Sequence, residues 1–480
     1  MAVFGGGALA DAYYAAFRIV NVFRRTVGEG GLNAVFIPML EKEKARSPEA
    51  AKDFFAAAWG GVLMASLLLC AAGALFSRQL VGLTAMGFRA DPAQLALAAL
   101  LTALLMPHLF FVNAAALFTA ALNSARRFLL PALAPALFSL SVIAALLALK
   151  AGLFPSLSGR GAIILVAAAA SASGLLQAAA LLPALRREGF ALAPANPLKS
   201  LGSAPLLAAA APAAVTLAQD QLSLLINTAY ASFLAPGSIT AIYNSARLVQ
   251  FPVSLVAVSA ATLSLPDLSS RAAAGDKEGF NARLSPALTA SWLIMLPAAL
   301  GIAATALPIC RALFEHGNFS PEHSEATASA LLWLAAGLPA FGVNKIASSA
   351  LYALGRRSAP LTVTSAQLLL NAALCLPLMG PLGAGGLMLA TSLSSWCSAL
   401  AFLLLLRRAT GFRPLALPLF RPALAAVACA LAALGLRSAL APFGPLAVTA
   451  AAVPAAVAVY FLSLRLLRVE ERALVTGGRF

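Results

Sequence analysis

Charged side chains gather inside a hydrophobic segment at Asp11 to Gly31, DAYYAAFRIVNVFRRTVGEGG. Wound as an α-helix, Asp11, Tyr14, Arg18, Asn21 and Arg25 fall at i, i+3, i+7, i+10 and i+14, which is one face. That face is polar and mostly cationic, and Arg24 stands beside it. Glu29 follows within Gly28, Gly30 and Gly31, whose low helix propensity predicts a bend or an unwound turn. Ala15, Ala16, Phe17, Val20, Val22 and Phe23 cover the remaining faces and suit lipid or neighbouring helices. An ion within a membrane is costly and marks a site by default. Arginine at such a place suits phosphate chemistry, because its planar fork holds two oxygens at once and keeps its charge when desolvated.

The elements that must position this face are membrane helices. Of 480 residues, 61% are hydrophobic and 10% charged, the mean hydropathy is +0.89, and runs long enough to span recur throughout. Continuous Ala, Leu and Val runs, without period-two alternation, exclude a β-barrel and predict an all-α polytopic protein. The net charge of +16 does not indicate nucleic acid, because the basic residues lie singly or in pairs between apolar runs. Cys70, Cys310, Cys375, Cys397 and Cys429 lack CxxC spacing, and His108, His316 and His323 make no HExxH, so neither a metal nor a disulfide framework is indicated. No cofactor or ATP-binding motif is present, and nothing at the start resembles a signal peptide.

With the opening helix, apolar segments near 54–76, 93–122, 129–149, 162–185, 203–234, 238–266, 286–312, 324–354, 360–380, 384–406, 422–441 and 444–464 make thirteen expected spans. Alternating from a cytoplasmic Glu41 to Asp53 places Lys42, Lys44, Arg46, Arg126, Arg127, Arg186, Arg187, Arg271, Arg283, Arg356, Arg357, Arg407 and Arg408 inside. The other side receives Arg78, Arg89, Lys150, Arg160, Arg311 and Arg437. This imbalance sets the orientation, with a cytoplasmic carboxyl terminus. Arg18, Arg24, Arg25, Arg247 and Lys345 remain for the membrane itself.

An internal repeat links two of them. Tyr243, Arg247, Gln250 and Ser254 repeat Tyr14, Arg18, Asn21 and Arg25 at one offset (243−14, 247−18, 250−21 and 254−25 are each 229). Downstream, Asn113 with Arg126 and Arg127 is echoed by Asn344 with Arg356 and Arg357, and LLPALRREGF by LLLLRRATGF. Six spans separate the copies, so the halves should run parallel about an axis along the membrane normal. The expected domains are an N-terminal lobe at 1–200, a C-terminal lobe at 201–415 and an appended helix pair with a tail at 416–480. Arg18 and Arg247 are then expected to face a shared central cationic cavity, and the appended pair to line a groove for a lipid tail. The bland reading of Arg24 and Arg25 is snorkelling to headgroups. For Lys345, beside Gly342 and Asn344, it is a structural hydrogen bond. Asp220 reads as a helix-to-helix hydrogen bond, and His108, after Pro107, as a packed residue at a kink.

The stretches FRIVNVFRRTVGEGGLNAVFIPML, LSLLINTAYASFLAPGSITAIYNSARLVQFP, LFEHGNF and ALNSARRF resemble the lipid II flippase family of bacterial cell-wall synthesis (MurJ, also called MviN), within the multidrug/oligosaccharidyl-lipid/polysaccharide exporter superfamily. The resemblance runs from Phe4 almost to the end. It implies two six-helix lobes, with the family's first helix lacking here, and a transporter, not an enzyme. The implied cargo is lipid II, a polyprenyl-pyrophosphate disaccharide-pentapeptide moved from the cytoplasmic to the outer leaflet of the bacterial inner membrane. It further implies roles for Asp11, Arg24, Glu29, Arg247 and Lys345, with Asp11 and Glu29 as ion-pair or coupling partners and a counter-ion as a further partner. Arg18 stands where relatives often have lysine. Ala246 stands where some have aspartate, so that ion pair is absent here. Two rival readings are an efflux antiporter of the same superfamily and a membrane-embedded glycan-lipid enzyme. The first calls for acids in the cavity, and the second for clustered acids or histidines at a membrane face.

The charge count generates a topology test: cysteines at Gly237 and Asn318 should label from outside, and at Ser47 and Gly275 from the cytoplasm. Access to all four from one side contradicts the alternation.

Overall fold

The computed structural model describes residues 3–25, 33–157, 159–193, 221–254, 259–356, 358–413 and 420–467, and among these every regular element is helical. Two compact units emerge, one of Ala8–Phe233 and one of Met1–Gly7 with Leu234–Phe480. The first contains α1 (Ala8–Phe23), α2 (Asn33–Lys44), α3 (Pro48–Leu75), α4 (Ser77–Thr84), α5 (Pro92–Ser124), α6 (Leu129–Leu133), α7 (Ala136–Lys150) and α8 (Arg160–Arg187). The second contains α9 (Ser238–Pro252), α10 (Ser259–Ala273), α11 (Lys277–Phe314), α12 (Pro321–Ala335), α13 (Leu338–Ala353), α14 (Ser358–Thr410), α15 (Phe420–Leu440) and α16 (Pro445–Leu466). Eight of the described helices are long and apolar enough to cross a membrane, or nine if the α12–α13 pair, bent by 46°, counts as one span. The protein is a multi-pass membrane protein.

Helix starts follow local chemistry. Ser47 caps α3 by accepting from the Ala50 N–H at 3.0 Å, and Asp91 caps α5 by accepting from Ala93 and Gln94 at 2.9 and 3.1 Å. Asp276 caps α11 at Gly279 (2.8 Å), and Ser320 caps α12 at His323 (3.4 Å). Each satisfies donors that the first helical turn leaves open. These caps carry the repeat into the backbone, since 276−47 and 320−91 are both 229. The end of α5 repeats as well. The Arg126 N–H donates to the Asn123 carbonyl and that of Arg127 to Leu122, while Gly355 donates to Tyr352 and Arg356 to Leu351. Arg126 (φ 59°) therefore occupies the left-handed position held by Gly355 (φ 72°), where a non-glycine residue costs about 1 kcal/mol. The backbone pairs Arg127 with Arg356, one residue away from the pairing that the matching double arginines suggest in the sequence.

One expected span proves broken, and two others meet at a kink within a single long element. The segment read as 324–354 bends between α12 and α13, where Pro339 has no N–H to offer Ala335. The 53 residues of α14 would reach about 80 Å, too long for one crossing. The chain kinks at Gly383 (φ 54°, ψ −132°), which separates the expected spans 360–380 and 384–406. The segment read as 238–266 holds α9 and the start of α10, and residues 255–258 between them lie outside the described residues. The glycine cluster around Glu29, Asp220 and most of the segment at 203–234 lie outside the described residues.

Aromatic clusters hold one end of each unit. In the first, Phe36, Phe54, Phe55, Trp59, Phe118 and Phe190 join α2, α3, α5 and the end of α8. In the second, Phe280, Leu284, Leu351, Phe402, Leu406 and Phe412 join α11, α13 and α14. Phe190 and Phe412 end the two echoed RREGF and RRATGF segments, and both are buried. Arg127 pairs with Glu188 at 3.0 Å, and Lys44 with Glu41 at 3.1 Å. The Ser124 hydroxyl and then Lys44 hold the Glu41 carboxyl below its ordinary range. Residues assigned to the cytoplasm thus converge at one end of the unit. On α7, by contrast, no residue is buried, and Leu140, Ile143 and Leu147 are exposed as lipid contacts require.

Where α5 meets α8, a Cβ on Gly174 would lie 3.0 Å from both the His108 carbonyl oxygen and Phe111 Cβ. Gly174→Val should therefore force the helices apart and lower the melting temperature in detergent, at a cost of about 1–3 kcal/mol. Gly435→Val, where a Cβ meets nothing within 4 Å, should leave it nearly unchanged, and equal effects would contradict the packing. For topology labelling, exposed Ala235 is the better position than Gly237, whose φ of +103° and approach to Gly6 and His323 disfavour a side chain.

Candidate functional site

The polar face of α1 is buried. Asp11 is 3% and Arg18 5% exposed, and both take part in polar or electrostatic interactions within the protein. Burying a carboxylate and a guanidinium in a span is tolerable only when each has such interactions. Aromatic packing fixes the helix: Tyr13 stacks on Phe17 at 5.8 Å and Phe17 on Phe138 of α7 at 5.4 Å. At the end of α1 the hydrogen-bonding loosens into a π-type turn at Arg24 and Arg25, both half-buried, and such turns are frequent at functional positions. Arg24 Nε donates to Asn21 Oδ1 at 2.9 Å, which turns its guanidinium along the helix.

His108 is 3% exposed, with its ring 5.4 Å from that of Phe138 and its Nδ1 3.5 Å from Ser173 Oγ. It is packed in the α5–α8 contact, in keeping with the bland reading. Asn113 donates from Nδ2 to Ser66 Oγ at 3.0 Å.

In the second unit, Arg247 lies on the exposed face of α9. Its Nε and Nη2 donate to the Tyr243 hydroxyl at 3.2 and 3.0 Å, and its guanidinium carbon lies 5.4 Å from the centre of the Tyr243 ring. This i, i+4 contact orients the fork and leaves other N–H groups open. No carboxylate pairs with Arg247 or with Lys345 among the described residues. Lys345 is exposed on α13, and its backbone carbonyl accepts from Ser348 and Ser349. Neighbouring Asn344 donates to the Ser395 carbonyl at 3.1 Å, while the structural hydrogen bond expected of the Lys345 side chain is not found among the described residues. Glu29 lies outside the described residues.

Other ionic contacts escaped the sequence reading, which took their arginines only as topology signals. Asp267 bridges Arg271 at 3.1 Å and Arg283 at 2.9 Å, and Arg271 also reaches Asp276 at 3.3 Å. The i, i+4 spacing of Asp267 and Arg271 was the available signal, while the tie to Arg283 needs the fold. Among the described residues no group of three His, Cys, Asp or Glu side chains is arranged to hold a metal.

A model of the lipid II flippase MurJ family matches residues 1–461. A probable lipid II flippase MurJ of Rhizobium meliloti (strain 1021) is 32% identical over 405 residues, covering 83% of this chain and 74% of the relative. The lipid II flippase MurJ of Burkholderia cenocepacia is 30% identical over 416 residues, covering 86% and 80%. Among solved structures, a lipid II flippase MurJ in an inward closed conformation superposes with a TM-score of 0.78 at 22% identity, covering 98% of this chain and 94% of that one. An inward-facing multidrug resistance MATE family transporter of the MOP superfamily gives 0.67 at 14% identity, covering 84% and 90%. These last two likenesses concern the fold. With the family model matching nearly the whole chain, the protein belongs to the lipid II flippase MurJ family.

Proposed function

We propose that this protein moves lipid II from the cytoplasmic to the outer leaflet of the bacterial cytoplasmic membrane by alternating access. The observation that carries the reading is the pair Arg18 and Arg247, two membrane arginines at equivalent positions of a repeat whose helix caps keep the same 229-residue register. Each follows a tyrosine by four residues, and Tyr243 holds the Arg247 fork by two hydrogen bonds. A preorganised guanidinium binds pyrophosphate oxygens in pairs. The polyprenyl tail stays in lipid while the headgroup passes. Outward movement of a negative headgroup is downhill in a cytoplasm-negative potential by about 2.3 kcal/mol per charge per 100 mV.

In this reading Arg18, Arg24, Arg25, Arg247 and Lys345 serve the anionic substrate. Asp11 and Glu29 balance these cations or couple transport to a counter-ion. The lobes at 1–200 and 201–415 are the moving parts, and the helix pair within 416–480 lies beside them. The predominance of arginine over carboxylate at these positions favours an anionic cargo over the cations an efflux antiporter carries.

Arg18→Ala and Arg247→Ala should each abolish complementation of a flippase-depleted bacterium while membrane insertion stays normal. Lysine at either position should rescue only in part, because it keeps the charge and loses the paired contact. Full activity of both alanine variants would remove the pyrophosphate role.

A further inference from the structure

Within the second unit, α11, α15, α16 and the turn before α16 border an open-sided pocket of about 470 Å3. Leu307, Leu434 and Val448 form an apolar wall, and Arg311, Arg437 and Ser438 stand at its polar part. Both arginines belong to the side that the charge count assigns to the outer leaflet, and the fold brings them to one place from residues 126 positions apart (437−311).

The position of Arg437 has a local cause. Pro308 has no N–H, so the Ala304 carbonyl loses the donor that a helix would supply from four residues on. Arg437 Nη1 crosses from α15 and donates to that carbonyl at 3.1 Å. This pins the guanidinium at the pocket with one donor used, and among the described residues no carboxylate pairs with it. Four of its N–H groups remain for a ligand. Arg311 is ion-paired at 3.4 Å, through Nε to Glu315 and through Nη2 to Glu325, and its buried Nε faces Glu315 Oε2 without a hydrogen bond between them. The pocket is also lined by Gly444 and Pro445, where the 22-residue α16 begins with no side-chain cap, so the positive end of that helix adds to the field.

We propose that this pocket binds an anionic glycerophospholipid of the outer leaflet, its phosphodiester at Arg437 and Arg311 and one acyl chain along Leu307, Leu434 and Val448. A free phosphate would leave the apolar wall unused, and a zwitterionic lipid would bring its own cation to the arginines. Beside the pocket, Phe443 and Leu446 are 73% and 72% exposed, as suits side chains among lipid. The site is separate from Arg18 and Arg247 and stands whether or not lipid II is the cargo.

The test is photo-crosslinking of the purified full-length protein in detergent with a phosphatidylglycerol carrying a diazirine on one acyl chain. Adducts should map to peptides containing Leu307 and Leu434 to Val448. Unlabelled phosphatidylglycerol should compete, and neither phosphatidylcholine nor millimolar inorganic phosphate should. Arg437→Ala should reduce labelling of these peptides about tenfold. Ser438→Asp keeps the contact of Arg437 with Ala304 and sets a carboxylate in the pocket, so it should reduce labelling as much while leaving the melting temperature in place. Adducts only elsewhere, equal competition by phosphatidylcholine, displacement by inorganic phosphate, or undiminished labelling in Ser438→Asp would each overturn the proposal.

Discussion

A guanidinium within a membrane protein must be compensated by the protein, and the burial of Arg18 is the constraint on which the first unit depends. A helix of only 16 residues carries that charge with Asp11 on the same face, so neither side chain tolerates lipid. α1 accordingly packs on α5, α4 and α8, and its own Tyr13 and Phe17 rings stack in line with Phe138 of α7. The charge fixes which way the helix is turned. Aromatic packing then fixes where it stands.

The same demand acts wherever a proline or a break in a helix leaves a backbone carbonyl without its helical donor. Removing an N–H inside a span frees a carbonyl that lipid cannot satisfy. Pro308 frees that of Ala304, and Arg437 takes it. Near the bend before Pro339, the Ala336 carbonyl accepts from Trp396 Nε1 at 3.0 Å, and the Trp333 carbonyl from Ser392 Oγ at 2.7 Å. Broken helices thus tie neighbouring helices together.

Much of this was legible in the sequence because it is local chemistry. Apolar runs announced the helices, and the Ser47-Pro48 and Asp91-Pro92 pairs are readable helix starts. The tyrosine and arginine spacing announced the repeat. What the sequence obscured was set by backbone geometry or by distant partners. Matching identical arginines put Arg126 opposite Arg356, whereas the left-handed turn puts it opposite Gly355, because hydrogen bonds and not side-chain identity define the turn. The bond of Arg437 to Ala304 joins residues 133 apart, and no spacing rule reaches that far. Arg247 was legible as a membrane arginine, while its fold-back onto the Tyr243 ring needed the rotamer.

In the proposed mechanism the two repeat-related arginines serve one anionic headgroup. Asn21 and Gln250 are themselves equivalent (250−21 = 229) and lie three residues beyond Arg18 and Arg247, so cysteines there report on the site and leave those two arginines in place, Asn21→Cys giving up only the acceptor of Arg24. In the purified protein, a polyprenyl-pyrophosphate should slow thiol labelling at Asn21→Cys and at Gln250→Cys over the same concentration range, and Arg18→Ala or Arg247→Ala should abolish the protection at both. Protection of one position alone, or protection that survives loss of either arginine, would contradict the account and leave the 229-residue correspondence as a record of ancestry.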